Sequence, residues 1–196
     1  MSAELTGAAR DRAFQAELVT LIPHLRAFAR TLTGDATAAD DLAQDALIKA
    51  WDARASFQMG TNMKAWTFMI LRNQFYSDKR RSWRSTQLDQ EAAERTLVAN
   101  DDPESPVALD ELRLAMACLP DEQREALILV GAGGFAYEEA ADICGVAVGT
   151  VKSRVSRARK AVQVILESGA YGRDGLSAGE AMNRILSDAE RLSAAR

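Results

Sequence analysis

Lys152, Ser153, Ser156, Arg157 and Lys160 recur at spacings that place them on one side of a helix turning about 100° per residue. Val151, Val155, Ala158 and Val162, spaced four, three and four apart, form a narrow apolar stripe on the other side. A helix with small apolar groups behind and basic and hydroxyl groups in front fits a DNA major groove. There Arg and Lys hydrogen-bond guanine edges, and Ser and Thr reach bases or phosphates. Thr150 and Arg154 complete the candidate reading set. A solvated basic face is the plainer reading of such a helix taken alone. Tyr137–Cys144 makes a preceding short helix whose paired alanines permit close approach, and Gly145 suits the left-handed turn between the two. Together they read as a helix-turn-helix.

A second constellation runs from Phe57 to Arg81. Opening DNA pulls a base from its stack at a cost of about a few kcal/mol. An aromatic wall, polar groups for the base edge and cations for the phosphates offset that cost. Phe57, the Gly60-Thr61-Asn62 loop and Asn73 supply a candidate pocket, with Lys64, Trp66 and Tyr76 beside it. Arg72, Lys79 and Arg80 are candidates to hold the backbone. Core packing competes as the reading of Trp66, Phe68, Phe75 and Tyr76. Asn73 interrupts an apolar stretch mid-helix, where its propensity is poor, which points to function.

The elements that must position these residues have helical periodicity nearly everywhere; alternating period-two runs are absent. Phe14, Leu18, Leu21, Ile22, Leu25, Phe28, Ala29 and Leu32 trace one stripe, with a kink expected at Pro23. Gly34-Asp35 reads as a stop and a turn. Further helices are expected at about 38–54 and 63–84, with a loop over 56–62 between them. Residues 85–106, with Asp101, Asp102, Pro103 and Pro106, read as a flexible acidic linker. Helical signal returns at 107–119, after Pro120, and then at about 137–144 and 148–166; Gly131–Gly134 is a break. A last helix is expected over 177–193. The expected fold is therefore all-α: a lobe over 8–84, the linker 85–106, a helix-turn-helix lobe over 107–166 and a C-terminal extension over 167–196.

Composition bounds the function classes. The 196 residues are 47% apolar with net charge −4, so a nucleic-acid partner requires segregated charge. The charge is segregated: of 24 basic residues, five lie in 72–84 and five in 152–160. Cys118 and Cys144 sit among apolar neighbours and read as reduced thiols of a cytoplasmic protein. With His24 the only histidine, no metal site is expected. No signal-peptide core and no membrane-spanning apolar run occurs, so no membrane association is expected. Phosphate-cradling glycine loops and nucleophile–base sets are also absent, so neither an enzyme nor a cofactor is expected.

The string Gly149-Thr150-Val151-Lys152-Ser153-Arg154-Val155-Ser156-Arg157-Ala158-Arg159 resembles the −35-reading helix of extracytoplasmic-function (ECF) sigma factors. Phe57–Arg81 resembles the −10 recognition helix of that family with its preceding loop, and Phe-Gln-x-Gly-Thr-Asn-x-x-Ala-Trp is similar to the EcfG group, general stress response sigma factors of alphaproteobacteria. Departures are Ala147 and Met59, where proline is common, and Ala136, where a capping serine often stands. Ala39–Ala46 is similar to the helix that binds core polymerase, which implies that role for Asp41, Gln44 and Asp45; taken alone, an acidic helix face is usually just solvated. The resemblance spans roughly 12–84 and 107–165. It implies core RNA polymerase, promoter DNA and a NepR-like anti-sigma factor as partners. The acidic linker is expected to thread a polymerase channel otherwise occupied by nucleic acid.

Two other readings remain open at this stage. One is a helix-turn-helix regulator acting on duplex DNA without polymerase. The other is a sigma-like decoy that binds an anti-sigma factor, although known decoys carry a receiver domain and only about thirty residues follow the helix-turn-helix here.

Overall fold

A computed structural model describes residues 7–86 and 107–169. Among these the chain forms α1 (Gly7–Thr33), α2 (Ala36–Asp52), a 3₁₀ turn (Arg54–Ser56), α3 (Met63–Thr86), α4 (Val107–Ala117), α5 (Asp121–Gly131), α6 (Tyr137–Cys144) and α7 (Val148–Ser168). The all-α expectation holds, and the elements fall into two compact units. One contains α1–α3; the other contains α4, α5, α7 and Tyr137–Ala141. Most of the expected linker (87–106) and the expected helix over 177–193 lie outside the described residues.

In the first unit α1, α2 and α3 pack on one another. The expected kink does not interrupt α1, which passes through exposed Pro23 as one element. Phe14, Leu18 and Leu21 before the proline and Leu25, Phe28 and Leu32 after it are all buried. Gly34 takes φ +73°, and the Asp35 side chain then accepts from the Ala38 amide at 2.7 Å, capping α2. Phe28 stacks on Phe68 with centroids 4.8 Å apart.

In the second unit α4 and α5 both pack on α7, around Ala115, Leu119, Ala158, Ala161, Val162 and Ile165. The break after α5 depends on Gly133. A Cβ there would lie 2.6 Å from the Leu129 carbonyl oxygen, a backbone atom that cannot yield, so only glycine fits. The Gly133 amide donates to Ile128 and the Phe135 amide to Leu129, turning the chain toward α6.

Candidate nucleic-acid interface

The exposed side of α7 carries Lys152, Ser156, Arg157, Arg159 and Lys160, while Val151, Val155 and Ala158 are buried beneath. Thr150 and Ser153 are half-buried at the near end, where Ser153 Oγ donates to the Thr150 carbonyl at 2.9 Å. Arg157 folds back along the helix: its Nη2 donates to Ser153 Oγ at 3.0 Å and its Nε to the Ser153 carbonyl at 3.3 Å. Lys152 Nζ lies 5.7 Å from the Tyr137 ring centroid, within cation–π range.

Arg154 departs from the expected face. It is half-buried, and its Nη1 is enclosed without a hydrogen-bond partner. The physical reason is its position three residues after Val151 and four before Ala158, which puts it on the flank of the buried stripe. One grouping was missed by the spacing pattern. Tyr137, Lys152, Ser156, Arg159, Lys160 and Gln163 line a shallow open groove of about 320 Å³. The local charge density signalled its cations, but nothing in the α7 pattern pointed to Tyr137.

On α3, Arg72, Asn73, Tyr76, Lys79 and Arg80 share one stripe (i, i+1, i+4, i+7, i+8). Asn73, Lys79 and Arg80 are exposed, and Arg72 and Tyr76 half-buried. The Arg72 guanidinium sits 4.6 Å over the Tyr76 ring, and Lys79 Nζ lies 6.0 Å from the Phe75 ring. Asn73 therefore does not interrupt the core; it occupies the open side of the helix. The polar group in the apolar stretch is its neighbour Gln74, which is buried, accepts from Lys49 Nζ on α2 and donates to Asp78 Oδ2 at 2.8 Å. A buried amide needs such partners, and the one-residue offset was not readable from composition.

The loop before α3 also differs from expectation. Phe57 is not an open wall for a base: it is 3% exposed, with its ring 5.7 Å from Phe14 and 5.0 Å from Trp66. Three aromatic faces bury more apolar area together than any one would against solvent. Trp66 is half-buried in the same cluster, and Lys64 Nζ lies 6.0 Å from the Phe68 ring. The exposed part of the loop is Gln58, Gly60, Thr61 and Asn62. Gly60 takes φ +86°, Thr61 Oγ1 donates to the Gln58 carbonyl at 2.7 Å, and Asn62 Oδ1 caps α3 by accepting from the Ala65 amide at 2.9 Å.

Asp41, Gln44 and Asp45 are exposed on α2. Ile48, one turn further on the same stripe, is 60% exposed, an apolar neighbour for the acidic set. No cluster of three or more His, Cys, Asp or Glu fit to hold a metal occurs among the described residues, and none of the described helices is long and apolar enough to cross a membrane.

The chain matches two known family regions in order. Residues 18–85 match Sigma-70 region 2 and residues 109–162 match Sigma-70 region 4. The ECF RNA polymerase sigma factor EcfG of Rhodopseudomonas palustris (strain TIE-1) is 46% identical over 162 residues, which cover 83% of this chain and 87% of that one. The chain belongs to the ECF RNA polymerase sigma factors. ECF sigma factor SigC of Mycobacterium tuberculosis (strain CDC 1551 / Oshkosh) is 34% identical over 130 residues, covering 65% of this sigma factor and 70% of SigC. Among solved structures, the sigma factor RpoE of Bartonella quintana, crystallised with the anti-sigma factor NepR, superposes with a TM-score of 0.74 at 46% identity, covering 80% of this chain and 98% of RpoE. CnrH, solved with the cytosolic domain of CnrY, gives a TM-score of 0.59 at 27% identity, covering 80% of this chain and 89% of CnrH. Members of this family bind core RNA polymerase and direct it to promoters. In this sigma factor α1–α3 supply region 2, and region 4 ends in the helix-turn-helix.

Proposed function

We propose that this sigma factor grips promoter DNA at two points. Thr150, Lys152, Ser153, Ser156 and Arg157 on α7 read the −35 element, with Arg154 supporting the helix from its flank. The exposed loop Gln58–Asn62 takes a base from the −10 strand, while Arg72, Asn73, Tyr76, Lys79 and Arg80 hold that strand along α3; Lys64 adds charge beside the loop, and Phe57 and Trp66 anchor it. Asp41, Gln44 and Asp45, with Ile48, dock on a basic, partly apolar surface of core polymerase. One observation carries the reading: exposed cations and polar groups gather along one side of α7 and along one side of α3, in the two stretches where the family similarity falls.

Control by a NepR-type anti-sigma factor is supported by the likeness to RpoE, and a general stress role by the likeness to EcfG. On this reading the protein works in the cytoplasm, where core polymerase is, and contributes no catalytic group. The working boundaries are 8–84 for the polymerase and −10 lobe and 107–166 for the −35 lobe.

The deciding experiment is transcription in vitro with purified core polymerase on promoters carrying or lacking each element. Initiation that needs polymerase, −35 and −10 together is expected. Tight duplex binding by the protein alone, with no polymerase-dependent initiation, would overturn the reading in favour of a conventional regulator.

A further inference from the structure

Arg10 lies ahead of the region 2 match, in the second turn of α1, yet reaches 44 to 47 residues along the chain. Its Nη2 donates to the Phe57 carbonyl at 2.8 Å and to the carbonyls of Arg54 and Ala55 at 3.3 Å each. Its neighbour Asp11 accepts from Arg54 Nε at 3.2 Å, and Arg54 in turn donates to the Trp51 carbonyl at 2.9 Å with its guanidinium 4.5 Å over the Trp51 ring. Two adjacent residues of α1 thus hold the whole 51–57 turn. The Arg54 carbonyl also accepts from the Phe57 amide at 3.3 Å, but carbonyls at the end of a helical turn are short of partners, and a guanidinium satisfies several at once through charge-assisted bonds.

The loop beyond Phe57 makes this more than a cap. Gln58–Asn62 is tied to itself: the Thr61 hydroxyl and amide both reach the Gln58 carbonyl, at 2.7 and 3.2 Å, and the Met63 amide donates to the Thr61 carbonyl at 3.0 Å. Such a unit moves as a piece, so its orientation is set by its two ends. One end is the start of α3, capped by Asn62. The other is the Phe57 peptide, whose ring is sunk against Phe14 and Trp66 and whose carbonyl is held by Arg10.

We propose that Arg10 is a positioning residue for promoter opening: by clamping the Phe57 carbonyl it fixes the angle at which Gln58–Asn62 meets the −10 base. This rests on the loop being the −10 contact proposed above. Arg10 touches no DNA in this scheme and acts only through the loop.

The test uses the full chain with Arg10→Ala and Arg10→Lys. Amide hydrogen exchange is followed at residues 58–62 and along α3 in the free protein. Promoter opening by the reconstituted polymerase is followed by permanganate reactivity on a matched −10 element and on one altered at the loop-contacted base. For Arg10→Ala the expected result is roughly tenfold faster exchange confined to the loop, the scale of losing a charged hydrogen bond. The matched-to-altered opening ratio falls by a similar factor, −35 duplex affinity and core polymerase affinity stay unchanged, and Arg10→Lys restores part of both effects. Unchanged loop exchange, or exchange raised equally throughout α1–α3, overturns the clamp. A loosened loop with an undiminished opening ratio overturns the positioning role. If the wild type opens no promoter with polymerase, the −10 reading fails and the proposal with it, whatever the exchange data show.

Discussion

Arg157 Nη2 donates to Ser153 Oγ at 3.0 Å, so two of the side chains proposed to read the −35 element are paired with each other in the free protein. Arg157 is exposed, and DNA would exchange one hydrogen bond for another rather than strip water from a bare cation. Arg157→Ala should therefore weaken −35 recognition by about 1–3 kcal/mol while leaving thermal stability nearly unchanged. Fluorescence anisotropy on −35 duplexes checks it, and equal loss on scrambled duplexes would mean that Arg157 meets only phosphate.

Asp41 and Asp45 are exposed on α2, so reversing their charge costs little folding energy. Asp41→Lys with Asp45→Lys should reduce core polymerase affinity by about tenfold or more and slow association, with the difference shrinking as salt rises. Binding of −35 duplex by the free protein should not change. Unaltered polymerase binding would move the docking face off α2.

The start of α6 holds half of a capping box. The Ala136 amide donates to Glu139 Oε2 at 2.9 Å, but Ala136 has no hydroxyl to return the bond. Ala136→Ser should complete it and stabilise the second unit by about 1 kcal/mol, read as a rise in its thermal midpoint. No rise would show that water already serves the α6 amides.

Burial pushes the Cys118 thiol up from its ordinary 9.0. A raised folded-state value means that the neutral thiol's contribution to stability is complete below the unfolded thiol's pKa and is lost as pH rises through the folded value. Denaturation midpoints of the wild type should fall more steeply than those of Cys118→Ala as pH rises above about 8.5, where an unfolded thiol begins to ionise. Parallel curves would place Cys118 in water. Iodoacetamide should correspondingly alkylate Cys118 more slowly than a free thiol at the same pH, because only the thiolate attacks.

Helix content, the Gly34-Asp35 stop, the limits of α6 and the apolar stripe of α7 could be read directly because each depends on residues within a turn or two of one another. The three faces proposed for DNA and polymerase follow from the same 3.6-residue period. What only the tertiary structure decided involves groups distant in sequence. By sequence Asn73 is the polar residue in an apolar stretch, but the packing of α2 on α3 buries Gln74 instead and supplies Lys49 as its partner. By sequence Phe57 reads as an open wall, but the rings of Phe14 and Trp66 pack against it. Arg154 belongs by spacing to the basic run, but it sits on the flank of the buried stripe of α7, half-buried with its Nη1 enclosed. Arg10 carried no local signal, because its partners are carbonyl groups, which every residue has and no side-chain pattern marks. Periodicity reports which side of a helix is wet; which groups meet across helices is set by how the helices pack.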